Sequence, residues 1–459
     1  MAKSKYKSVW FCSECGADSP KWAGRCPACG AWNTMVEESV PVTSASGASR
    51  SPSPVASGTS QAIPLNAIST TEQPRIKLPS NELNRVLGGG LVPGAMVLIG
   101  GEPGVGKSTL VLQNLLSIRS KTILYASGEE SATQLKLRAD RLGRGSDNLF
   151  IVCETSLENI FRHIEQVQPG IVVVDSIQTI ASDALESSAG SVSQVRECAA
   201  QLLKFAKESN VPVLLIGHIT KEGSLAGPKV LEHIVDAVLQ FEGDRQYMFR
   251  ILRAIKNRFG NTSELGIYEM GQKGLREVTN PSELLLNTAD TALSGVAIGV
   301  TIEGARPFLI EIQALVSTAA YGTPQRAVTG FDSKRMNMLL AVLEKRAGFK
   351  LAAKDVFLNI AGGIKVNDPA LDLPVVSAIL SSNFDTPVGR DVCLTGEVGL
   401  SGEIRPVARI EQRIAEAEKL GFKRIILPAG SLKSLDPSRF AIEICQVSRV
   451  EEALKLLFT

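Results

Sequence analysis

The residues Gly101, Glu102, Pro103, Gly104, Val105, Gly106, Lys107, Ser108 and Thr109 lie between an apolar run, MVLIG, and a helical one, LVLQNLLSI. Glycines at this spacing let backbone N–H groups close around phosphate oxygens, and a lysine at the loop's end reaches the β- and γ-phosphates. The hydroxyl of Ser108 suits Mg2+, so the stretch predicts ATP and Mg2+ held at a strand–loop–helix junction. Asp175 ends the apolar run IVVVD. A carboxylate there reaches the C-terminal edge of a sheet and can hold the metal or its water; a plain cap after a strand is the alternative. Glu129 and Glu130 follow the run TILYAS. Glu129 is read as the group that orients the attacking water, although either carboxylate would also favour the start of a helix near Ser131. His218, Thr220 and Lys221, in GHITKEG, follow the last core strand, where a γ-phosphate sensor would sit; a purely structural role is the equal alternative for the histidine.

Two further groups carry chemistry. In AIKNRFGN, Lys256 and Arg258 stand two positions apart with Asn257 between them and Phe259 and Gly260 behind. Paired cations where a strand gives way to a turn face something negative: solvent, a nucleotide's phosphates or a nucleic-acid backbone. Near the N-terminus, Cys12 and Cys15, then Cys26 and Cys29, form two C-x2-C pairs, each followed by glycine (Gly16, Gly30). Four thiolates at this spacing suit a closed, structural tetrahedral Zn2+ site, and disulfides are disfavoured in a cytosolic chain. The first 35 residues carry Lys3, Lys5, Lys7, Lys21 and Arg25 against Glu14 and Asp18, which serves DNA contact or protein docking equally. The remaining cysteines, Cys153, Cys198, Cys393 and Cys445, read as inert buried thiols in apolar segments.

The elements that position these groups follow from composition. A chain of 459 residues implies two or three domains. Its 44% apolar and 21% charged content describes a soluble globular protein, and its net charge of +2 forces no polyanion partner. No run approaches the ~20 apolar residues of a membrane span, and the N-terminal apolar run is too short for a signal segment; the expected location is cytoplasmic, with no membrane partner. Residues 1–35 read as a zinc-binding domain and the Ser/Pro/Gly-rich residues 36–70 as a flexible linker. Residues 71–280 alternate apolar strands (96–100, 122–127, 149–154, 171–176, 211–220) with helical patterns (156–168, 191–209), which predicts an α/β core with a parallel sheet covered on both faces. Residues 281–459 mix strands and helices as a second, α+β domain.

The phosphate-binding centre resembles the RecA/DnaB class of P-loop ATPases. More specifically, the four-cysteine knuckle, GGEPGVGKST, GHITKEG and KNRFG, in this order, are similar to the bacterial RadA (Sms) family of recombination and repair proteins, over almost the whole chain outside the linker. The resemblance implies a RecA-like ATPase core in a homo-oligomeric ring, a hexamer, with the nucleotide between subunits. Lys256 and Arg258 would then complete a neighbour's site and couple hydrolysis to DNA. It also implies single-stranded and branched DNA, the recombinase RecA and replication and repair proteins as partners, at the nucleoid. The segment Ser187–Glu197, with Ser191, Gln194 and Arg196 as phosphate donors, would face the pore; an ordinary loop and helix start is the alternative. With 5% aromatic residues, backbone contact is expected to outweigh base stacking.

The stretches Thr395–Pro428 and Asp368–Ser382 are similar to the proteolytic domain of Lon. Matching the motifs puts Val375 at the nucleophilic serine and Glu411 at its activating lysine, which leaves neither a nucleophile nor an amine. Ser377, two positions along a helix, would point to nearly the opposite face. The domain is therefore expected to be proteolytically inactive and to serve assembly. Lys334, Arg335, Lys345, Arg346 and Lys350 are either a DNA-facing surface or a solvated helix face. The expected function is DNA-stimulated ATP hydrolysis that drives movement on single or branched strands. The rivals are an ATP-gated scaffold that loads partners without moving and an ATP-dependent protease.

Overall fold

Runs of aliphatic residues with no polar alternation form strands buried on both faces, and such strands make the centre of the first sheet. The computed structural model describes residues 6–41, 64, 74–143, 145–218, 231–243, 249–286, 293–319, 323–363, 366–432 and 436–458. The chain divides into two units, one of Met1–Gly243, Arg250–Thr262 and Met270–Glu277, the other of Asp244–Phe249, Ser263–Glu269 and Val278–Thr459. Thr220, Lys221, Lys3, Lys5 and the expected linker, apart from 36–41 and Pro64, lie outside the described residues.

The N-terminal ribbon is a three-stranded antiparallel sheet of β1 (Tyr6–Cys12), β2 (Asp18–Ser19) and β3 (Met35–Pro41), in the order β2-β1-β3. β3 pairs with β1 over its whole length, so the segment expected to open the linker is instead strand as far as Pro41.

The core strands are β4 (Met96–Gly101), β5 (Ile123–Ser127), β6 (Leu149–Cys153), β7 (Ile171–Asp175), β8 (Val213–His218), β9 (Ala237–Glu242), β10 (Phe249–Asn257), β11 (Leu265–Gly271) and β12 (Gly274–Glu277). The nine-stranded sheet runs β12-β11-β10-β9-β4-β8-β7-β5-β6. Strands β4 to β9 are parallel to their neighbours, while β10 is antiparallel to β9. Helices α1 (Asn81–Val86), α2 (Lys107–Leu115), α3 (Ala132–Arg141), α4 (Leu157–Val167) and α5 (Val192–Ser209) belong to the same unit. Ser131 and Ser156 begin α3 and α4 by accepting from the backbone amides of Gln134 and Asn159. Val9 and Phe11 of the ribbon share one buried cluster with Val192, Val195 and Ala199 of α5.

The second unit holds a seven-stranded mixed sheet in the order Arg326–Thr329, Lys354–Ile360, Arg306–Thr318, Val296–Glu303, Val392–Leu394, Arg424–Pro428, Glu443–Val447. Its central helix, Asp372–Phe384, is buried from Asp372 through Ser381. Val375 is therefore core, whereas Glu411 is exposed and pairs with Arg439 at 3.3 Å. The inward cation of helix Ile410–Lys419 is Arg413, bonded to Asp368 at 2.7 Å and to the Val300 carbonyl at 2.7 Å. Asp368 in turn accepts from the Ala370 amide. Ser377 is fully buried and donates to the Leu373 carbonyl at 2.9 Å. Arg335, one of the cations considered for DNA, forks onto the buried Asp372.

Candidate nucleotide and metal sites

All six residues of β4 are buried, so its last residue opens onto the phosphate loop from a fixed position. Gly101 is required there: a Cβ would come within 2.4 Å of the Phe241 carbonyl. Gly104 and Gly106 take φ of 78° and 113°, the left-handed region that the loop's reversal needs. α2 starts directly behind Gly106 with no side chain bonded across its first turn, so its leading amides are directed at the loop.

Lys107 is buried, and its Nζ donates to the Gly101 and Glu102 carbonyls at 2.9 and 3.0 Å. Nζ also lies 3.2 Å from His218 Nδ1. Burial pulls the ammonium below the usual lysine range, opposed by the charges of Asp175 and Glu129. Asp175 ends β7 in a buried position, where it accepts from the Tyr125 hydroxyl of β5 and from Ser108. Burial raises its carboxyl above the ordinary value, and those two hydrogen bonds oppose the rise. The same burial and the adjacent carboxylate push the Tyr125 phenol well above its usual range. Ser108 and Asp175 thus place a hydroxyl and a carboxylate oxygen at one spot, an all-oxygen donor set that fits Mg2+.

The paired carboxylates after β5 separate by environment. Glu129 Oε1 lies 3.0 Å from His218 Nε2 and accepts from the Ser176 hydroxyl. The His218 hydrogen bond, followed by Ser176 and Lys107, holds its carboxyl down at about 2 against the cost of burial. Glu130 turns instead to Arg138 of α3, and burial raises its carboxyl. Lys107, His218, Glu129, Ser176, Asp175 and Tyr125 therefore form one linked cluster at the C-terminal edge of the parallel strands.

KNRFG lies elsewhere. Asn257 is level with Ala237 of β9, and Ala237 is level with Val97, at the beginning of β4. The motif is thus at the opposite edge of the sheet from its own phosphate loop. Lys256 Nζ is tied to the Glu232 and Val235 carbonyls at 2.6 and 2.8 Å, and burial lowers its pKa. The Arg258 side chain is 57% exposed and reaches Asp236 at 3.4 Å. Asp236 is itself buried and also accepts from Lys207 at 2.6 Å and from the Met96 amide at 3.0 Å. Asn257 donates to the Val86 carbonyl, and Arg75 donates to the Phe259 carbonyl. Gly260 lies so close to Gly88 that a Cβ would be 2.8 Å from its Cα.

Arg196, expected at a DNA-facing loop, is half-buried and donates to the Gly16 carbonyl of the ribbon. Beside it, the Glu38 carboxylate accepts from the Val192 and Ser193 amides at 3.0 and 3.2 Å, capping α5 from a residue 154 positions earlier. These contacts seat the ribbon on the core. Tyr125, Ser176, Asp236 and Glu38 carried no local signal in the sequence; each is defined by partners distant in the chain. Of the four cysteines expected to be buried, Cys198 and Cys393 are, whereas Cys445 is half-buried and Cys153, at the end of a strand, is exposed.

The four Sγ atoms of Cys12, Cys15, Cys26 and Cys29 lie within 4.8 Å of one another, with Cys12–Cys29 at 3.7 Å and Cys15–Cys26 at 3.6 Å. Tetrahedral Zn–S bonds of about 2.3 Å imply S···S edges of about 3.8 Å, so the donor set fits Zn2+. Gly16 and Gly30, both left-handed, return their amides to the Cys12 and Cys26 carbonyls and close each knuckle.

Residues 10–37 match a family model described as a rubredoxin metal binding domain, residues 64–224 one described as an AAA domain, and residues 312–431 one described as subunit ChlI of Mg-chelatase. Among curated proteins, the DNA repair protein RadA of Bacillus subtilis (strain 168) is 51% identical over 457 residues, covering 98% of this chain and 99% of the relative. RadA of Listeria monocytogenes is 49% identical (99% and 99%), and RadA of Pseudomonas aeruginosa 48% (99% and 100%). A solved KaiC-like protein from Pyrococcus horikoshii OT3 aligns with 45% of this chain and 99% of its own, at 22% identity and a TM-score of 0.38.

Proposed function

The chain belongs to the family of RadA DNA repair proteins, and on that premise we propose that it is a ring-forming, DNA-stimulated ATPase that moves along single-stranded or branched DNA and drives branch migration. The observation that carries this reading is the separation of KNRFG from its own phosphate loop. A cation at the far edge of the sheet is out of reach of its own nucleotide and is placed to serve a neighbour in a head-to-tail ring.

Within one subunit, the phosphates of ATP take over Lys107 from the Gly101 and Glu102 carbonyls. Ser108 and Asp175 would hold Mg2+, which when bound neutralises charge on the β- and γ-phosphate oxygens. Tyr125 donates to the Asp175 carboxylate, which orients it and favours its ionised form against the effect of burial. Glu129, ionised and fixed by Ser176, orients the attacking water. His218 spans Glu129 and Lys107 and so registers whether the γ-phosphate is present. Arg258, with Lys256 behind it, reaches from the adjacent subunit to the transferring phosphoryl group. The four cysteines hold a structural Zn2+. Hexameric assembly, RecA and other repair proteins as partners, and a nucleoid location complete the reading.

The test measures ATP turnover with and without single-stranded DNA, and strand displacement on forked substrates of both polarities. A motor gives DNA-stimulated turnover and displacement. Stimulation without displacement identifies a loader; no DNA effect on either removes the motor.

A further inference from the structure

All three tryptophans of the chain, Trp10, Trp22 and Trp32, lie in the ribbon. Trp10 packs against the cysteine cluster, but Trp22 and Trp32 are 57% and 70% exposed. Large indoles left in water on a small, tightly built module have a surface use more often than a packing one. Two cations accompany them. Arg25 places its guanidinium 5.8 Å from the Trp32 ring centroid, with its Nε anchored to the Gly30 carbonyl at 3.0 Å. Lys21 stands exposed beside Trp22. The segment from Ser19 to Asn33 holds both cations and both exposed indoles, and contains no Asp or Glu. The ribbon's carboxylates lie outside that segment, and Glu38 is spent on α5.

We propose that Trp22 and Trp32, with Lys21 and Arg25, form a stacking platform for the bases of single-stranded DNA, held on the Zn2+-ribbon. Bases present a π-face whatever their identity, and an indole plus a cation for the adjacent phosphate binds them without sequence preference. A protein partner also uses Trp and Arg as anchors. Its anchors, however, sit in an apolar surround, whereas the exposed side chains flanking these indoles include Lys21, Arg25 and Asn33. The inference rests on DNA being the substrate class of the ATPase and adds a contact outside the pore. The low overall aromatic content still favours backbone contact for the chain as a whole, but all three of its tryptophans are concentrated in the ribbon.

The test uses the full chain with Zn2+ bound. Because every tryptophan is in the ribbon, intrinsic tryptophan fluorescence reports on this module alone. Adding oligo(dT) should quench it. The Trp22→Ala/Trp32→Ala double variant, with zinc content unchanged, should bind labelled oligo(dT) roughly five- to hundredfold more weakly per indole removed. Trp22→Phe/Trp32→Phe should recover most of that loss. DNA-stimulated turnover in the wild type with unquenched fluorescence and unaltered oligo(dT) binding by the alanine variant overturns the platform and leaves the motor standing. So does an alanine variant that keeps oligo(dT) affinity but loses a protein partner. Quenching by oligo(dT) without DNA-stimulated turnover in the wild type sinks the motor and keeps the platform.

Discussion

Arg258→Ala separates action on a neighbour from action within one subunit. From Val97, level with Ala237 and Asn257, to Gly101 is four strand residues. At about 3.3 Å each they span about 13 Å before the phosphate loop begins, longer than an arginine side chain. Arg258 starts beyond Asn257, on the far side of that span, so its loss leaves its own phosphate loop untouched. The same loss removes the charge offered to the next subunit, and arginine fingers contribute about 10³–10⁵ in rate. Arg258→Ala should therefore bind ATP normally and hydrolyse it at least about a thousandfold more slowly. The decisive assay mixes it with Lys107→Ala, which has the finger but no working loop. Each variant alone is inactive. Co-assembled at random, about one interface in four joins an intact loop to an intact finger, so up to about a quarter of wild-type turnover returns. Mixed rings, confirmed by a tag on one variant, that show no recovery would refute the reasoning, as would a dilute monomer that hydrolyses ATP at the full rate.

Three further outcomes follow from the geometry. Tyr125→Phe removes a hydrogen bond that holds Asp175 ionised, a charge-assisted contact of about 1.5–3 kcal/mol; the Mg2+ needed for half-maximal turnover should rise about tenfold or more, and the acid limb of the pH–rate profile should move to higher pH. Glu129 has its carboxyl lowered from 4.5 to about 2; its stabilisation is complete above 4.5 and is lost as pH falls toward 2, so Glu129→Gln should flatten the acid-unfolding curve in that window and leave the pH dependence above 4.5 unchanged, an effect absent if calorimetry gives superimposable curves. Glu38→Ala removes the acceptors of two amides at the start of α5, where Ser191 still caps the Gln194 amide, at about 1 kcal/mol; the Val192 and Ser193 amides should exchange hydrogen several-fold faster, and unchanged exchange would mean that the ribbon is not seated through Glu38.

Legibility in the sequence followed the range of the contacts. The phosphate loop and the zinc knuckles are contiguous, so the residues that act together are neighbours in the chain and their spacing declares them. The choice of Glu129 over Glu130 could not be read from alternation alone. It depends on Arg138, two helical turns on, drawing Glu130 away, and on His218 from a strand two places across the sheet. Tyr125 was hidden because β5 is buried on both faces, so its pattern does not say which residue meets β7. For Arg196 the sequence offered a phosphate donor but not its contact with Gly16, 180 residues earlier. Motif matching alone put Val375 and Glu411 at the two positions of a protease dyad, because the absence of a nucleophile and an amine needs only residue identity. Motif spacing located the two segments, but only packing shows that Val375 is core, that Glu411 faces solvent, and that Arg413 is the group turned inward.

Asp236 bears on how the proposed ring would run from one cycle to the next. A buried acid that depended on Arg258 alone would hold it fast, because releasing it would strand a charge away from water. With Lys207 and the Met96 amide already attached, Asp236 lets Arg258 swing out and come back with little penalty. Under the proposed ring, Arg258 would then be parked rather than locked, and a resting subunit could be recruited by whichever neighbour loads fuel.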